Sequence, residues 1–98
     1  MSYKDKIAQD ARFFILRELA RQVDGRLNSV LLRRMLDQHG ITRSADWVLT
    51  QLHALDELDA VTLIPAGEIM IARIEPEGRD HVEERGLLAG VTRPADLR

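Results

Sequence analysis

Four arginines between positions 26 and 43 have the chemistry to bind phosphate groups. A guanidinium presents its N–H donors in a planar fork that matches phosphate oxygens, and its charge is permanent. The four are Arg26, Arg33, Arg34 and Arg43. Residues 1–43 hold nine Lys/Arg and five Asp/Glu, a balance of +4, whereas residues 44–98 hold five and eleven, a balance of −6. Such asymmetry is typical of a nucleic-acid-binding half, of two copies that associate through opposite charges, or of two solvated faces.

Catalytic and metal chemistry have little basis in the sequence. Its three histidines, His39, His53 and His81, stand in no nucleophile motif, and no Gly-rich phosphate loop or specific pair of carboxylates accompanies them. His53 and His81 each precede a glutamate by three or four residues, a spacing that is common on solvated helix faces. There is no cysteine. We therefore expect no enzyme activity, no cofactor and no metal site, with metal sensing between the helices of a dimer as the alternative.

Length and composition predict a single domain with one modest core. Of the 98 residues, 45% are apolar, which is ordinary for a globular protein. No apolar run approaches the ~20 residues that would span a bilayer. The first residues form a mixed amphipathic segment rather than a signal peptide. We therefore expect a cytoplasmic protein without a membrane partner.

The spacing of apolar residues predicts three helices before residue 60. The first covers about residues 5–22 and stops at Asp24-Gly25. The second begins at a cap on Asn28 or Ser29 and runs to about His39, and the third covers about residues 44–59. The apolar face of the first helix is predicted to be Ala8, Ala11, Ile15, Leu19 and Val23. That of the second is Val30, Leu31 and Met35, widened by Leu32 and Leu36, and that of the third centres on Val48, Leu52 and Leu55.

The second half of the chain predicts a hairpin and a last helix. β-Branched residues dominate positions 60–64 and 69–74, and the turn residues between them include Pro65 and Gly67. Pro76 opens a helix over about residues 77–85, which Gly86 closes. Residues 87–98 show no period, which predicts an extended arm or a disordered tail. The expected organisation is a domain over residues 1–86 and a C-terminal tail or arm over 87–98.

The first helix carries a second apolar stripe on its opposite side. Two stripes on one helix indicate two partners, which here are the core and either the C-terminal helix or a second subunit. The stripe and the few apolar residues near the C-terminus form a candidate dimer interface, namely Phe13, Leu16, Ala20, Val82, Leu87 and Leu88. A homodimer is the prediction, and Phe13→Asp should then give monomers.

The pattern as a whole resembles the winged helix-turn-helix superfamily. The resemblance is carried by the turn Gly40-Ile41-Thr42, the face Leu52/Leu55/Leu58 and the strand–Pro65-Ala-Gly67–strand wing. It implies an α+β, mostly α fold of order α-α-α-β-β-α whose third helix enters the DNA major groove. The runs Gly78-Arg-Asp-His-Val and Gly90-Val-Thr-Arg-Pro94 are similar to small winged-helix proteins of Mu-like phages and prophages, which are often regarded as regulators.

The negative charge of the third helix argues against insertion into the major groove. Its predicted outer stripe, Asp46, Thr50, His53 and Glu57, contains two acids, and the whole helix lacks Lys and Arg. Base reading uses mostly Arg, Lys, Asn and Gln, and carboxylates face a dense array of phosphate charge. The resemblance leaves the four arginines as phosphate contacts. The neutral groups that it places near bases are Thr42, Ser44, Thr50 and Gln51.

The leading interpretation is a small DNA-binding transcription regulator, phage or prophage encoded, that acts as a homodimer on double-stranded DNA. The alternative is a winged-helix module that binds a protein through the acidic third helix and does not bind DNA. Trp47 is predicted to cover the edge of the core, with an interface anchor as the alternative role.

Overall fold

The first helix, α1, begins at a capping box and ends before its apolar spacing predicts. The computed structural model describes residues 2–97, in which α1 spans Tyr3–Arg21. The Ser2 hydroxyl accepts the Asp5 N–H at 3.2 Å, and the Asp5 carboxylate accepts the Ser2 N–H at 3.4 Å. These bonds satisfy two backbone donors at the helix start. Val23 lies beyond the helix and is fully exposed, so its predicted place on the apolar face is wrong.

A short strand that the sequence pattern did not predict follows α1. This strand, β1, spans Arg26–Asn28 and pairs antiparallel with the last strand of the chain. Three residues are too few for an alternation of apolar and polar side chains to be visible. Gly25 leads into it with φ +69°, and a Cβ at that position would lie 3.0 Å from the Ile74 side chain. Glycine therefore fits the site in both conformation and space.

Helix α2 spans Ser29–Gln38 and is capped by Asn28, one of the two predicted candidates, whose side chain accepts the Leu31 N–H at 2.9 Å. Its buried residues are Leu32, Met35 and Leu36. Val30 and Leu31 are 42% and 41% exposed, so this part of the predicted apolar face is wrong. The helix turns its first two apolar residues to solvent, and only the face that begins at Leu32 reaches the core.

A tight turn separates α2 from helix α3, which spans Ala45–Glu57. Gly40 has φ +79°, and the buried Ile41 donates its N–H to the Leu36 carbonyl at 2.9 Å. Ser44 caps α3 by accepting the Trp47 N–H at 3.1 Å. The predicted buried face is confirmed, because Val48, Leu52 and Leu55 are all 1% exposed or less.

The hairpin consists of strands β2, Val61–Ala66, and β3, Ile69–Ile74, joined at Gly67-Glu68. With β1 they form an antiparallel sheet in the order β1-β3-β2, so β2 is an edge strand. The row Leu63–Ala72–Leu27 lies on the face that covers the core, and the row Thr62–Arg73–Arg26 lies on the outer face. The turn is shorter than predicted because β2 continues through Pro65.

The last α-helix, α4, spans Pro76–Val82 and lies against α1. Pro76 is at its start, as predicted, but the helix stops three residues earlier than expected because Glu84 takes a left-handed conformation with φ 62°. Gly78 permits a close approach, because a Cβ there would lie 2.5 Å from the Ala60 carbonyl oxygen. The domain is therefore α+β and mostly helical.

Residues 87–97 fold back on α1 rather than forming the expected extended arm or disordered tail. Val91 and Pro94 are buried, and Pro94–Leu97 form a 3-10 turn. Thr92 donates its N–H to the Gln9 carbonyl and its hydroxyl to the Asp10 carboxylate. The sequence pattern missed this because the segment is attached by hydrogen bonds and isolated apolar contacts, which have no period.

The second stripe of α1 is covered within the same chain. Phe13 and Leu16 are 3% and 0% exposed, and Ala20, Val82 and Leu88 also contact the core. Of the predicted dimer residues, only Leu87 is exposed, at 54%. The expectation of a subunit contact through Phe13 and Leu16 is therefore wrong, because α4 packs closely on α1. No helix within residues 2–97 has the length and apolar character to cross a membrane.

Candidate nucleic-acid interface

Two of the four predicted phosphate-binding arginines, Arg33 and Arg43, lie together where α2 meets the turn before α3. Arg33 Nε donates to the Arg43 carbonyl at 2.8 Å, and Arg43 Nη1 donates to the Thr42 carbonyl at 3.0 Å. The Arg43 guanidinium lies 5.5 Å from the centre of the Trp47 ring, within the range of a cation–π contact. These contacts hold both side chains, and each guanidinium keeps further N–H donors for an oxygen ligand.

Lys4 joins this pair from the start of α1. Lys4, Ile7, Arg43 and Trp47 line one depression of the surface, and Lys4 is exposed. Its ammonium forms no ion pair within residues 2–97. We call Lys4, Arg33 and Arg43 the cationic strip. Lys4 was not among the predicted site residues, because its place beside Arg43 depends on how α1 packs next to α3 and no local pattern in the sequence indicates that.

The other two predicted arginines do not belong to one cluster with the strip. Arg34 is exposed on α2, but successive residues of a helix point about 100° apart, so Arg34 flanks the strip rather than joining it. Arg26 opens β1 opposite Arg73 on the outer face of the sheet. The structure therefore brings together Arg33 and Arg43, adds Lys4, and leaves Arg26 on another surface.

The four groups predicted to lie near bases are mostly engaged elsewhere. Gln51 is 3% exposed, and its side-chain oxygen accepts Arg12 Nε at 2.9 Å, so its predicted contact with a base is wrong. Ser44 uses its hydroxyl to cap α3, and Thr50 donates its hydroxyl to the Asp46 carbonyl at 3.1 Å. Only the exposed Thr42 has a side chain without such a bond in the described part of the chain.

The outer face of α3 is as acidic as its sequence predicts. Asp46, His53 and Glu57 are exposed there, and Glu68 is exposed at the tip of the hairpin. A phosphate backbone placed along this face would meet carboxylates without a compensating cation on the same helix. The face therefore opposes direct base reading, whereas the cationic strip beside it favours phosphate contact.

Trp47 covers the edge of the core, as predicted. It is half-buried and contacts the buried cluster, so its ring is held in place. The fixed ring in turn positions the Arg43 guanidinium that lies over it.

None of the histidines lies in a metal-binding arrangement, and no group of three His, Cys, Asp or Glu within residues 2–97 is placed to hold a metal ion. His81 is fully buried, with Nε2 2.9 Å from the Thr92 carbonyl and Nδ1 2.9 Å from the Leu88 nitrogen. Its part is to attach residues 87–97 to α4. His39 lies 4.4 Å from Phe14 between ring centres and contacts Arg17.

Two ionisable groups with shifted pKa values, Glu75 and Arg85, lie outside the cationic strip. The Glu75 carboxylate accepts hydrogen bonds from the Thr62 hydroxyl at 2.8 Å and from Arg73 Nε at 3.1 Å, and these bonds lower the pKa of Glu75. Hydrogen bonding to Asp80 and the charge of Glu83 raise the pKa of Arg85. The first set stabilises the end of the hairpin and the second the end of α4.

Comparison with known proteins gives this chain no relatives: no protein-family model, curated protein or solved structure matches it.

Proposed function

We propose that this chain is a winged-helix protein that binds double-stranded DNA through its phosphates and not by reading bases. The order helix, strand, helix, helix, hairpin and the sheet order β1-β3-β2 support the winged-helix assignment, in which the hairpin is the wing. The resemblance to winged-helix proteins of Mu-like phages extends the proposal to a regulatory protein of that kind. Fold alone does not specify function, so the proposal depends on the surface.

The observation that carries the proposal is the pairing of Arg33 and Arg43 beside an α3 whose serine, threonine and glutamine side chains are engaged within the chain. Arg33 is fixed on the Arg43 carbonyl, and Arg43 is fixed over Trp47. Two preordered guanidiniums lose less side-chain entropy when they bind phosphate than two mobile ones would. Since Gln51 is buried and Ser44 and Thr50 are bonded to the backbone, α3 offers few uncharged groups to base edges, and its exposed carboxylates are repelled by the phosphates.

The test is fluorescence anisotropy of the full chain on a labelled 20-base-pair duplex of random sequence, across a salt series. Affinity should fall steeply with salt, because each neutralised phosphate contributes about 0.9 to the slope of log K against log salt. Arg33→Gln and Arg43→Gln should each flatten that slope by about one contact. A duplex of different sequence should bind within about threefold, because the contacts are to the backbone.

Arg21→Gln is the matched control. Arg21 is an exposed arginine in the last turn of α1, about 26 Å along the helix from Lys4. Its replacement should therefore leave the salt slope of DNA binding unchanged. Absence of binding at low salt would refute the proposal, and so would equal losses for all three variants. Sequence preference well above tenfold would show that bases are read after all.

The acidic face of α3 favours a second candidate, a module that binds a basic protein surface. Charge-neutralising variants separate the two. If α3 lies against the duplex, Asp46→Asn and Glu57→Gln remove repulsion from phosphates and should tighten DNA binding several-fold. If α3 binds a protein instead, the parent chain should not bind the duplex even at low salt, and these variants should weaken capture of a basic peptide such as oligolysine.

A further inference from the structure

A depression between the starts of α1 and α3 combines two cations with an aromatic ring. Its volume is about 330 Å³, and its lining is Lys4, Ile7, Arg43 and Trp47. Lys4 and Ile7 come from α1, whereas Arg43 and Trp47 flank the cap of α3. The depression therefore exists only in the folded chain, which brings together residues about 40 positions apart in the sequence.

The charge in this depression is positive and uncompensated by its own lining. No carboxylate lines it, and Lys4 forms no ion pair within the described residues. Asp5, the acid next to Lys4, is occupied with the Ser2 N–H at the cap of α1. An anion that entered would meet an ammonium and a guanidinium, both of which bind phosphate oxygens.

The rest of the lining is apolar and consists of an isoleucine side chain and the planar ring of a tryptophan. The Trp47 ring is fixed against the core, and Ile7 also contacts the core. Arg43 is held at the ring and at the Thr42 carbonyl before any ligand arrives. A ligand that satisfied both halves of the site would carry a phosphate and a planar ring, which together describe a nucleotide.

We propose that this depression binds a nucleotide, with its phosphate between Lys4 and the remaining N–H donors of Arg43. Its base would lie against the part of the Trp47 ring that Arg43 and the core leave exposed. The proposal deepens the function above and rests on it in part, because Lys4 and Arg43 also belong to the cationic strip. The nucleotide is either a free mononucleotide or an unpaired nucleotide of a DNA strand, since both present the same phosphate and base. In the second case the protein holds the backbone along the strip and an exposed base in the depression.

Trp47 is the only tryptophan in the chain, so its fluorescence reports on the site directly. The ligands are dAMP, adenosine, inorganic phosphate, a single-stranded dT8 and a blunt duplex, each followed by fluorescence and by calorimetry on the same protein. dAMP should quench Trp47 saturably and bind about tenfold or more tighter than adenosine or phosphate alone. If only dT8 behaves in this way, the source is a nucleic-acid strand, and if dAMP does, a free nucleotide suffices.

Lys4→Gln and Lys6→Gln form the matched pair of variants. Both lysines are exposed in the first turns of α1, but Lys6 lies outside this depression. Lys4→Gln should weaken dAMP or dT8 binding about tenfold, and Lys6→Gln should change it less than twofold. Equal weakening by both, equal binding of adenosine and dAMP, or no heat and no quenching with any ligand would overturn the proposal.

The duplex measurements separate the failure of this site from that of the proposed function. If no mononucleotide or single strand binds but the salt-dependent duplex binding still requires Arg33, only the nucleotide site is wrong. If neither the duplex nor the smaller ligands bind, both proposals are wrong.

Discussion

Replacing His81 with alanine should release residues 87–97 from the helical part of the domain. The ring is fully buried and joins two backbone groups of that segment, the Thr92 carbonyl and the Leu88 N–H, each at 2.9 Å. Because a carbonyl only accepts and a backbone N–H only donates, Nε2 carries the proton and Nδ1 is the acceptor. Alanine can replace neither bond.

The size of the effect follows from these contacts. Two hydrogen bonds to backbone groups are each worth about 1 kcal/mol, and the ring also contacts Phe13, 6.3 Å away between ring centres. With the cavity that the ring leaves, the expected loss of unfolding free energy is about 3 kcal/mol. For a domain of this size that loss lowers the melting temperature by roughly 12–24 °C.

Circular dichroism melting and amide hydrogen exchange measure the two consequences separately. In His81→Ala, the Leu88 and Thr92 amides should lose protection before the amides of α1 and α3 do. His81→Gln should recover part of the stability if its amide nitrogen reaches the Thr92 carbonyl, and the exposed His53→Ala should change stability by less than about 0.5 kcal/mol. A melting temperature lowered by less than about 4 °C, with Leu88 still protected, would refute the reasoning.

Three further substitutions, the first with a control variant, test other contacts. Gly78→Ala should destabilise the chain by about 1–3 kcal/mol in thermal melts, because its Cβ would meet the Ala60 carbonyl, whereas Gly86→Ala, with 3.7 Å of room, should be near neutral. Phe13→Asp should lower the free energy of unfolding by more than about 3 kcal/mol and so unfold the chain rather than yield a folded monomer. Circular dichroism and gel filtration would show this. Glu75→Gln should cost less than about 1 kcal/mol at neutral pH. Because folding lowers the pKa of Glu75, its carboxylate stabilises the folded chain fully above its ordinary pKa of 4.5. This stabilisation is lost as the pH falls through the lower pKa of the folded state, so the unfolding free energies of Glu75→Gln and the parent chain, measured in urea, should converge in acid. A Glu75→Gln deficit that is constant from pH 7 to pH 3 would contradict that assignment.

The sequence predicted the parts of the fold that a repeating pattern describes. Leu52 and Leu55 recur with the period of a helix, and both are buried on α3 as expected. The cap-forming residues Asn28 and Ser29 predicted the start of α2, and Asn28 is the one that caps it. β1 was missed because its three residues gain their place only by pairing with β3, far along the chain.

The candidate site was less accessible to such reasoning because it depends on contacts between elements. Gln51 is the one polar residue among the buried residues of α3, and the hydrogen bond from Arg12 of α1 explains why it can be buried. Lys4 looks like any exposed lysine until α1 is placed beside the turn that carries Arg43. The spacing of neighbouring residues cannot predict the contact of Arg12 with Gln51 or the proximity of Lys4 to Arg43, since the partners are 39 residues apart in both cases.

Pro65 has a consequence for how this protein behaves at high concentration. Pro65 lies in β2, one of the two edge strands of the sheet, and pairs with Met70 in the second pair from the two-residue turn. Residues of that pair do not exchange backbone hydrogen bonds, so the Pro65 nitrogen points away from β3. That nitrogen carries no hydrogen, so a strand from another molecule that approached the edge would find a donor missing. An uninterrupted open edge is a template for aggregation, and a proline there interrupts it without disturbing the hairpin. Pro65 thus protects the edge strand of the hairpin against the addition of a strand from a second molecule.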